Sequence, residues 1–291
     1  MMKVSIGRLM VVFALMSAAY AANAADIKLG VNAPRGPLEA KKWEPLAKFI
    51  SAEIGKSIEI VPLTPGQIDD AVAQGVVDFA LVNPVTAVIV SEKNKANLLA
   101  TMKAEGTPNF AGVIFAKKDG KVASLADLKG KNVMAYQFGV SAGAYVFQAY
   151  YVSQHGIDPQ KDFASFKEAK KQDDIVLAVQ SGVIDAGFVR TGVLESMAKE
   201  GKIKMEDFVI IDPKKDDVKF VHSTPPYPEW FMVATAATDA ALATKLRDVI
   251  LKLKPSDEAA IAAKIDGFVE AQSLESLKAA LKSLKLAPYG G

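Results

Sequence analysis

Two twelve-residue stretches of this chain are alike. Residues 71–82 read AVAQGVVDFALV and residues 178–189 read AVQSGVIDAGFV, with six positions identical. Each copy has the end of a helix, a glycine suited to a left-handed helix stop, and an apolar run that fits a strand buried on both faces. Helix–glycine–strand is a common unit, so an α/β protein could repeat it by composition alone. The other reading is two lobes of related design, offset by 107 residues.

The surrounding pattern extends the unit. Apolar spacing predicts strands at 27–31, 57–61, 76–82, 133–136, 164–167 and 183–189, with helices over 38–54, 64–74, 141–154 and 173–180. The tail reads as helices at 239–253, 257–265 and 274–284, punctuated by Pro255 and Gly267. This rhythm predicts an α/β fold in which each lobe is a mostly parallel sheet flanked by helices. Lobe one takes 25–112 plus 231–291 and lobe two 113–230, with crossings near 110–116 and 220–234. Ligands of open α/β sheets bind beyond the carboxyl ends of the strands. Lobe one would present Asn32, Arg35, Gly36, Asn83 and Thr86 there. Lobe two would present Gln137, Val140, Ser141, Ala142, Gly143, Arg190 and Thr191.

The N-terminus sets the compartment. Lys3 and Arg8 precede an apolar run at 9–19, and Ala22-Asn23-Ala24 follows with small–x–small spacing. That order predicts a secretory signal over 1–24, cut after Ala24, with Ala21 as the second choice. The run is too short to span a bilayer, which needs roughly 20 apolar residues. With no cysteine there is neither a disulfide nor a lipoprotein anchor, and a chain of this length can do without disulfides. The expectation is a monomer diffusing in a bacterial periplasm. Of 35 Lys and Arg the leader removes two, leaving 33 against 33 Asp and Glu. A formally neutral chain argues against a nucleic-acid or anionic-membrane partner, which would need a net basic surface.

Ser124-Leu125-Ala126-Asp127-Leu128-Lys129-Gly130-Lys131 resembles a signature of type II periplasmic solute-binding proteins. Gly156-Ile157-Asp158-Pro159 and Gly182-Val183-Ile184-Asp185 narrow the resemblance to the phosphate/phosphite/phosphonate-binding receptors of ABC transporters. The stretches 187–192 and 222–230 look closer to a branch that includes sensor domains of tetrathionate-type histidine kinases. The resemblance implies a two-lobed fold, a small oxyanion as ligand, and a membrane permease or a sensor kinase as partner. It implies neither a cofactor nor catalysis. Family receptors carry Ser-Thr-Ser-Gly where this chain has Val140-Ser141-Ala142-Gly143, so one hydroxyl of three survives beside the backbone donors. A family His matches Gln172. A family acid that receives a ligand amine matches Gly192, which argues against an aminoalkyl phosphonate.

Little else points to chemistry. His155 and His222 are far apart and no Cys accompanies them, so no metal site is expected. No G-x-S-x-G elbow is present and Ser141 has no base beside it, so no enzyme is expected. Asp78 and Asp185, matched by the repeat, read as residues that fix a turn or helix end. Tyr227-Pro228-Glu229-Trp230 is either packing at the crossing or a place where Tyr227 or Trp230 offers its polar tip to ligand. Arg190 is the counterpart of Asn83. It either pairs with Glu195 one turn on, or turns its planar fork to a second anionic end of the ligand. The latter would make the ligand a small dianion with separated charges.

Overall fold

The computed structural model describes residues 27–33 and 37–290. The expected signal segment, Arg35 and Gly36 lie outside them. The strands are β1 (Ile27–Asn32), β2 (Ile58–Leu63), β3 (Phe79–Val82), β4 (Asn97–Lys103), β5 (Asn109–Phe110), β6 (Gly112–Lys117), β7 (Asn132–Tyr136), β8 (Ser165–Ala169), β9 (Ala186–Arg190), β10 (Phe208–Ile210), β11 (Tyr227–Pro228), β12 (Phe231–Ala234) and β13 (Gly267–Glu270). They form a six-stranded sheet in the order β13-β4-β12-β3-β1-β2 and a five-stranded sheet in the order β10-β6-β9-β7-β8.

In the first sheet β1 runs parallel to β2 and β3, and in the second β7 runs parallel to β8 and β9. Each sheet also contains a reversed strand that follows directly on a crossing. β6 pairs antiparallel with β9, and β12 pairs antiparallel with β3 and β4. The crossings themselves meet as a two-stranded antiparallel ribbon, β5 on β11, with Tyr227 opposite Phe110.

The repeated stretch is a structural repeat. Gly75 and Gly182 hold φ of 64° and 75°, and the Val76 and Val183 N–H groups return to the carbonyls of Ala71 and Ala178 at the same 2.9 Å. The two aspartates then act alike. Asp78 Oδ2 accepts from the Lys28 N–H at 2.7 Å and Asp185 Oδ2 from the Asn132 N–H at 2.9 Å. Each therefore staples the start of its own strand to the neighbouring parallel strand, β1 or β7, a longer-range role than the turn or helix end expected. The strands begin later than apolar spacing indicated, at Phe79 and Ala186, because three residues are spent on this turn and staple. Residues 38–54 are broken by a 3₁₀ turn at Lys41–Trp43, ahead of Pro45. The tail helices shrink to Ala240–Ile250, Glu258–Ala263 and Glu275–Ser283, and Gly267 opens β13 instead of a helix break.

One apolar cluster runs from Ile68 and Val88 through Phe110 and Phe147 to Phe188, and takes in Leu277 and Leu281. The helix Glu275–Ser283 thus packs against both Pro84–Asn94 and Phe147–Gln154. Lys278 fastens it to Glu92 at 2.8 Å. Among the described residues, no helix is long and apolar enough to cross a membrane.

A half-buried carboxylate, that of Asp69, sits where helix Pro65–Ala73 packs on Pro84–Asn94. Asp69 Oδ1 is buried without a hydrogen-bond partner. Burial, reinforced by Asp70 and opposed by Lys93, pushes its carboxyl up to about 6. The folded-state value lies above the unfolded one, so the cost of the charged form is complete above about pH 6, shrinks as the pH falls from 6 through the unfolded value of 3.8, and disappears once both states are protonated below it. Asp69→Asn is therefore expected to raise stability at pH 7.5 by on the order of 1–2 kcal/mol, discounted for partial exposure from the 1.36 kcal/mol carried by each pH unit. Urea midpoints of variant and parent should converge as the pH falls toward 4. An equal gap at both ends of that range would exclude ionisation as the cause.

Candidate ligand-binding site

Beyond β7 the chain makes a turn dictated by two left-handed residues, Gln137 at φ 46° and Gly139 at φ 75°. The N–H groups of Val140 and Ser141 both return to the Gln137 carbonyl, at 3.1 and 2.9 Å. Ser141 is extended, and the helix after it starts with a π-helical turn, Ala142–Val146, before continuing as Phe147–Gln154. The first helical bond is from the Val146 N–H to the Ser141 carbonyl, at 3.0 Å. In an α-helix Tyr145 would make that bond. The wide turn therefore leaves four N–H groups, those of Ala142, Gly143, Ala144 and Tyr145, ahead of the first helical bond. The Ser141 side chain makes no cap to the helix, so its hydroxyl is not spent there. Convergent N–H groups at the positive end of a helix favour an anion.

Only glycine fits at 143. A Cβ there would stand 2.5 Å from Phe110 Cε2 and 3.1 Å from Arg190 Cβ. This close approach brings the helix start, the first crossing and the end of β9 to one place. Arg190 is the last residue of β9. Its N–H donates to Gln172 Oε1 at 2.9 Å, and its guanidinium carbon lies 4.7 Å from the centre of the Phe110 ring. Its Nη2 donates to Glu229 Oε1 at 3.0 Å. Glu229 is 3% exposed, while the Arg190 side chain is 35% exposed. Arg190 is therefore ion-paired, but with Glu229 on the second crossing and not with Glu195. Gly192, left-handed at φ 85°, turns the following helix Val193–Lys199 so that Glu195 faces the Val221 N–H instead, at 2.9 Å.

The remaining candidates divide into those at this junction and those apart from it. Thr191 is buried, and its N–H continues the sheet to the Ala111 carbonyl at 3.1 Å. Tyr227 stacks on Phe147, centroids 4.0 Å apart and planes within 15°. Burial pushes its hydroxyl up to about 12, so it stays a donor across the physiological range. Asn83 and Thr86 form a separate unit. Asn83 caps helix Pro84–Asn94 by accepting from the N–H groups of Val85 and Thr86, and its amide reaches Thr86 Oγ1 at 3.2 Å. Trp230 packs with the first sheet's outer core. His222 is buried, its ring nitrogens 2.8 Å from the Phe220 carbonyl and 3.1 Å from Asp216 Oδ2. Its neighbours Ser223 and Thr224 accept from the N–H groups of Ile114 and Gly112 along β6.

Two residues at the junction were not among the expected ligand contacts. Glu229 is the lone acid in a run of aromatics. Gln148 is the one long polar side chain in the apolar run AGAYVFQAYYV, and it is fully buried. A polar group inside an apolar helix face signals a hydrogen-bonding task, and that signal was available in the sequence.

Comparison with known proteins follows the same lines. A family model described as ABC transporter, phosphonate, periplasmic substrate-binding protein matches residues 34–275. The tetrathionate sensor histidine kinase TtrS of Salmonella typhimurium is 29% identical over 249 residues, which are 83% of this chain and 42% of that protein. The chain thus spans less than half the length of this curated relative. Among solved structures, a Xanthomonas citri protein bound to ATP superimposes with a TM-score of 0.74 at 18% identity, covering 89% of this chain and 97% of its own. PhnD1 from Prochlorococcus marinus in complex with methylphosphonate gives 0.70 at 17% identity, with 89% and 97% covered. At these identities the structures speak to the fold, a two-lobed periplasmic binding protein.

Proposed function

The chain belongs to the family of periplasmic phosphonate-binding proteins of ABC transporters, and from that premise we propose that it captures one small oxyanion at the start of helix 142–154 and hands it to a membrane permease. The observation that carries this reading is the wide helix start. Four N–H groups and the uncommitted Ser141 hydroxyl stand beside Gly143, where Arg190 and Phe110 approach. Val140, Gln137, Gln172, Thr191 and Tyr227 shape the wall around them. Because Glu229 already balances Arg190, a single anionic group suits this wall better than the separated dianion suggested by the sequence. On this reading lobes 25–112 plus 231–291 and 113–230 close about the β5–β11 ribbon, Asn83, Thr86 and Arg35 face the ligand from the opposite lobe, and the exported, monomeric protein performs no turnover.

A second reading has its own support in the likeness to a tetrathionate sensor kinase. The protein would then report a sulfur oxyanion to a kinase rather than deliver a solute. Both readings share the binding chemistry.

A thermal-shift screen across phosphate, phosphite, methylphosphonate, sulfonates and tetrathionate tests them together. A true ligand at a hundred times its Kd is expected to add about 2.7 kcal/mol to the folded state. Stabilisation by an uncharged metabolite and by none of these anions would overturn the anion reading. Binding of tetrathionate without phosphonates would favour the sensory one.

A further inference from the structure

We propose that Gln148 is the positioning residue of the anion site, acting through the peptide between Gly143 and Ala144. The inference rests on the oxyanion reading above and deepens it.

The Gln148 amide lies wholly buried beneath the wide turn. Its Nε2 donates to the Gly143 carbonyl at 2.8 Å, to the Val189 carbonyl at 2.8 Å and to the Val113 carbonyl at 3.3 Å. Val113 and Val189 are register partners in the β6–β9 ladder, so the amide rests on the sheet where β9 is about to deliver Arg190. Space for it comes from Gly112, where a Cβ would stand 2.5 Å from Gln148 Cδ. Facing three carbonyls, the amide can only present its NH₂. Its Oε1 is left buried with no partner. Such an orphan costs on the order of 1–3 kcal/mol, a penalty that an apolar side chain of similar length would avoid. That penalty offsets what the three bonds contribute, so folding stability alone gives little reason for glutamine at this position.

The arrangement makes sense at the anion. A peptide unit is planar and trans, so its C=O and N–H point in opposite directions. When Gln148 holds the Gly143 carbonyl down onto the sheet, the Ala144 N–H is turned the other way, out of the helix start. A hydrogen bond received at the carbonyl also polarises the N–H of the same unit. Gln148 thus aims and strengthens the donor at the middle of the four-N–H turn without touching the ligand itself.

Gln148→Leu tests this with the full-length exported protein, and methylphosphonate, inorganic phosphate and tetrathionate as probes in calorimetric titrations. The expected result is a melting temperature of the free protein close to the parent's, because the lost bonds are offset by removal of the orphan oxygen. Affinity for whichever probe the parent binds should fall about tenfold, and the Ala144 amide nitrogen should shift upfield in the free protein. Gln148→Asn, which keeps the amide but shortens its reach, should not restore affinity. Parent-like affinity together with an unmoved Ala144 resonance in Gln148→Leu overturns the inference. Ala142→Asp in the parent separates the two claims. If it binds the probes normally, or if the parent binds none of them, the anion reading falls and this inference with it. If it abolishes binding while Gln148→Leu binds fully, only the role of Gln148 is wrong.

Discussion

Arg190→Ala is expected to lower folding stability by roughly 3 kcal/mol, the low end for breaking a buried ion pair. The reason lies with the partner. Glu229 is almost completely enclosed and its Oε1 is held by Arg190 Nη2, so truncating the arginine strands a charge that water cannot reach. The low end applies because about a third of the arginine side chain is open to solvent. Glu229→Ala should cost less, since the guanidinium left behind can turn toward water. Arg190→Met combined with Glu229→Leu should recover most of the loss, because replacing both members of such a pair with apolar groups is often neutral. Urea unfolding of Arg190→Ala, Glu229→Ala and the variant that combines these two alanines forms a cycle whose coupling energy reads the pair directly. Additive losses would show that the two side chains do not support one another. An unchanged midpoint in Arg190→Ala would show that Glu229 is satisfied by other means.

Ala142→Asp is expected to abolish anion binding. It sets a carboxylate at the first residue of the wide turn, against the ligand charge. Two like charges about 4 Å apart interact by roughly 4 kcal/mol at an effective dielectric of 20, close to a thousandfold in Kd. Ala142 is itself buried, so the substitution also crowds the turn. Ala142→Asn supplies nearly the same bulk without charge and is expected to retain most of the affinity. Calorimetric titration of both variants with the anion selected by thermal shift separates charge from bulk. Equal losses in the two would point to crowding, and full binding in Ala142→Asp would move the ligand elsewhere.

How much of this was legible in the sequence follows from which interactions are local. The repeat, its glycines and the turn after β7 are local and could be read from spacing and residue type. The lobe-two stretch proposed for the site, Gln137 to Gly143, stood out as a candidate for the same reason, since it follows directly on β7. What could not be read is what arises between distant segments. Arg190 meets Glu229 across 39 positions because the ribbon of β5 and β11 folds back over Phe110. Glu195, three residues past Gly192, was the nearer candidate until the left-handed glycine turned its helix away. The reversed strands β6 and β12 were hidden likewise, because an apolar run carries no sign of its direction. Asn83 was visible as a strand-end polar group, but its task as a helix cap depends on Pro84 starting the helix at once.

The tail has a mechanical consequence. Helix Glu275–Ser283 touches Pro84–Asn94 on one side and Phe147–Gln154 on the other. Past it, Leu286 reaches the loop at Gly139, where a Cβ would stand 3.8 Å away. Two bodies joined by a ribbon alone can both bend and twist about it. A third bearing placed away from the ribbon resists the twist and leaves the bend, as a second hinge does for a door. If the lobes close about the ribbon as proposed, that closure is expected to follow one coordinate and to slide the tail over the loop that shapes the helix start.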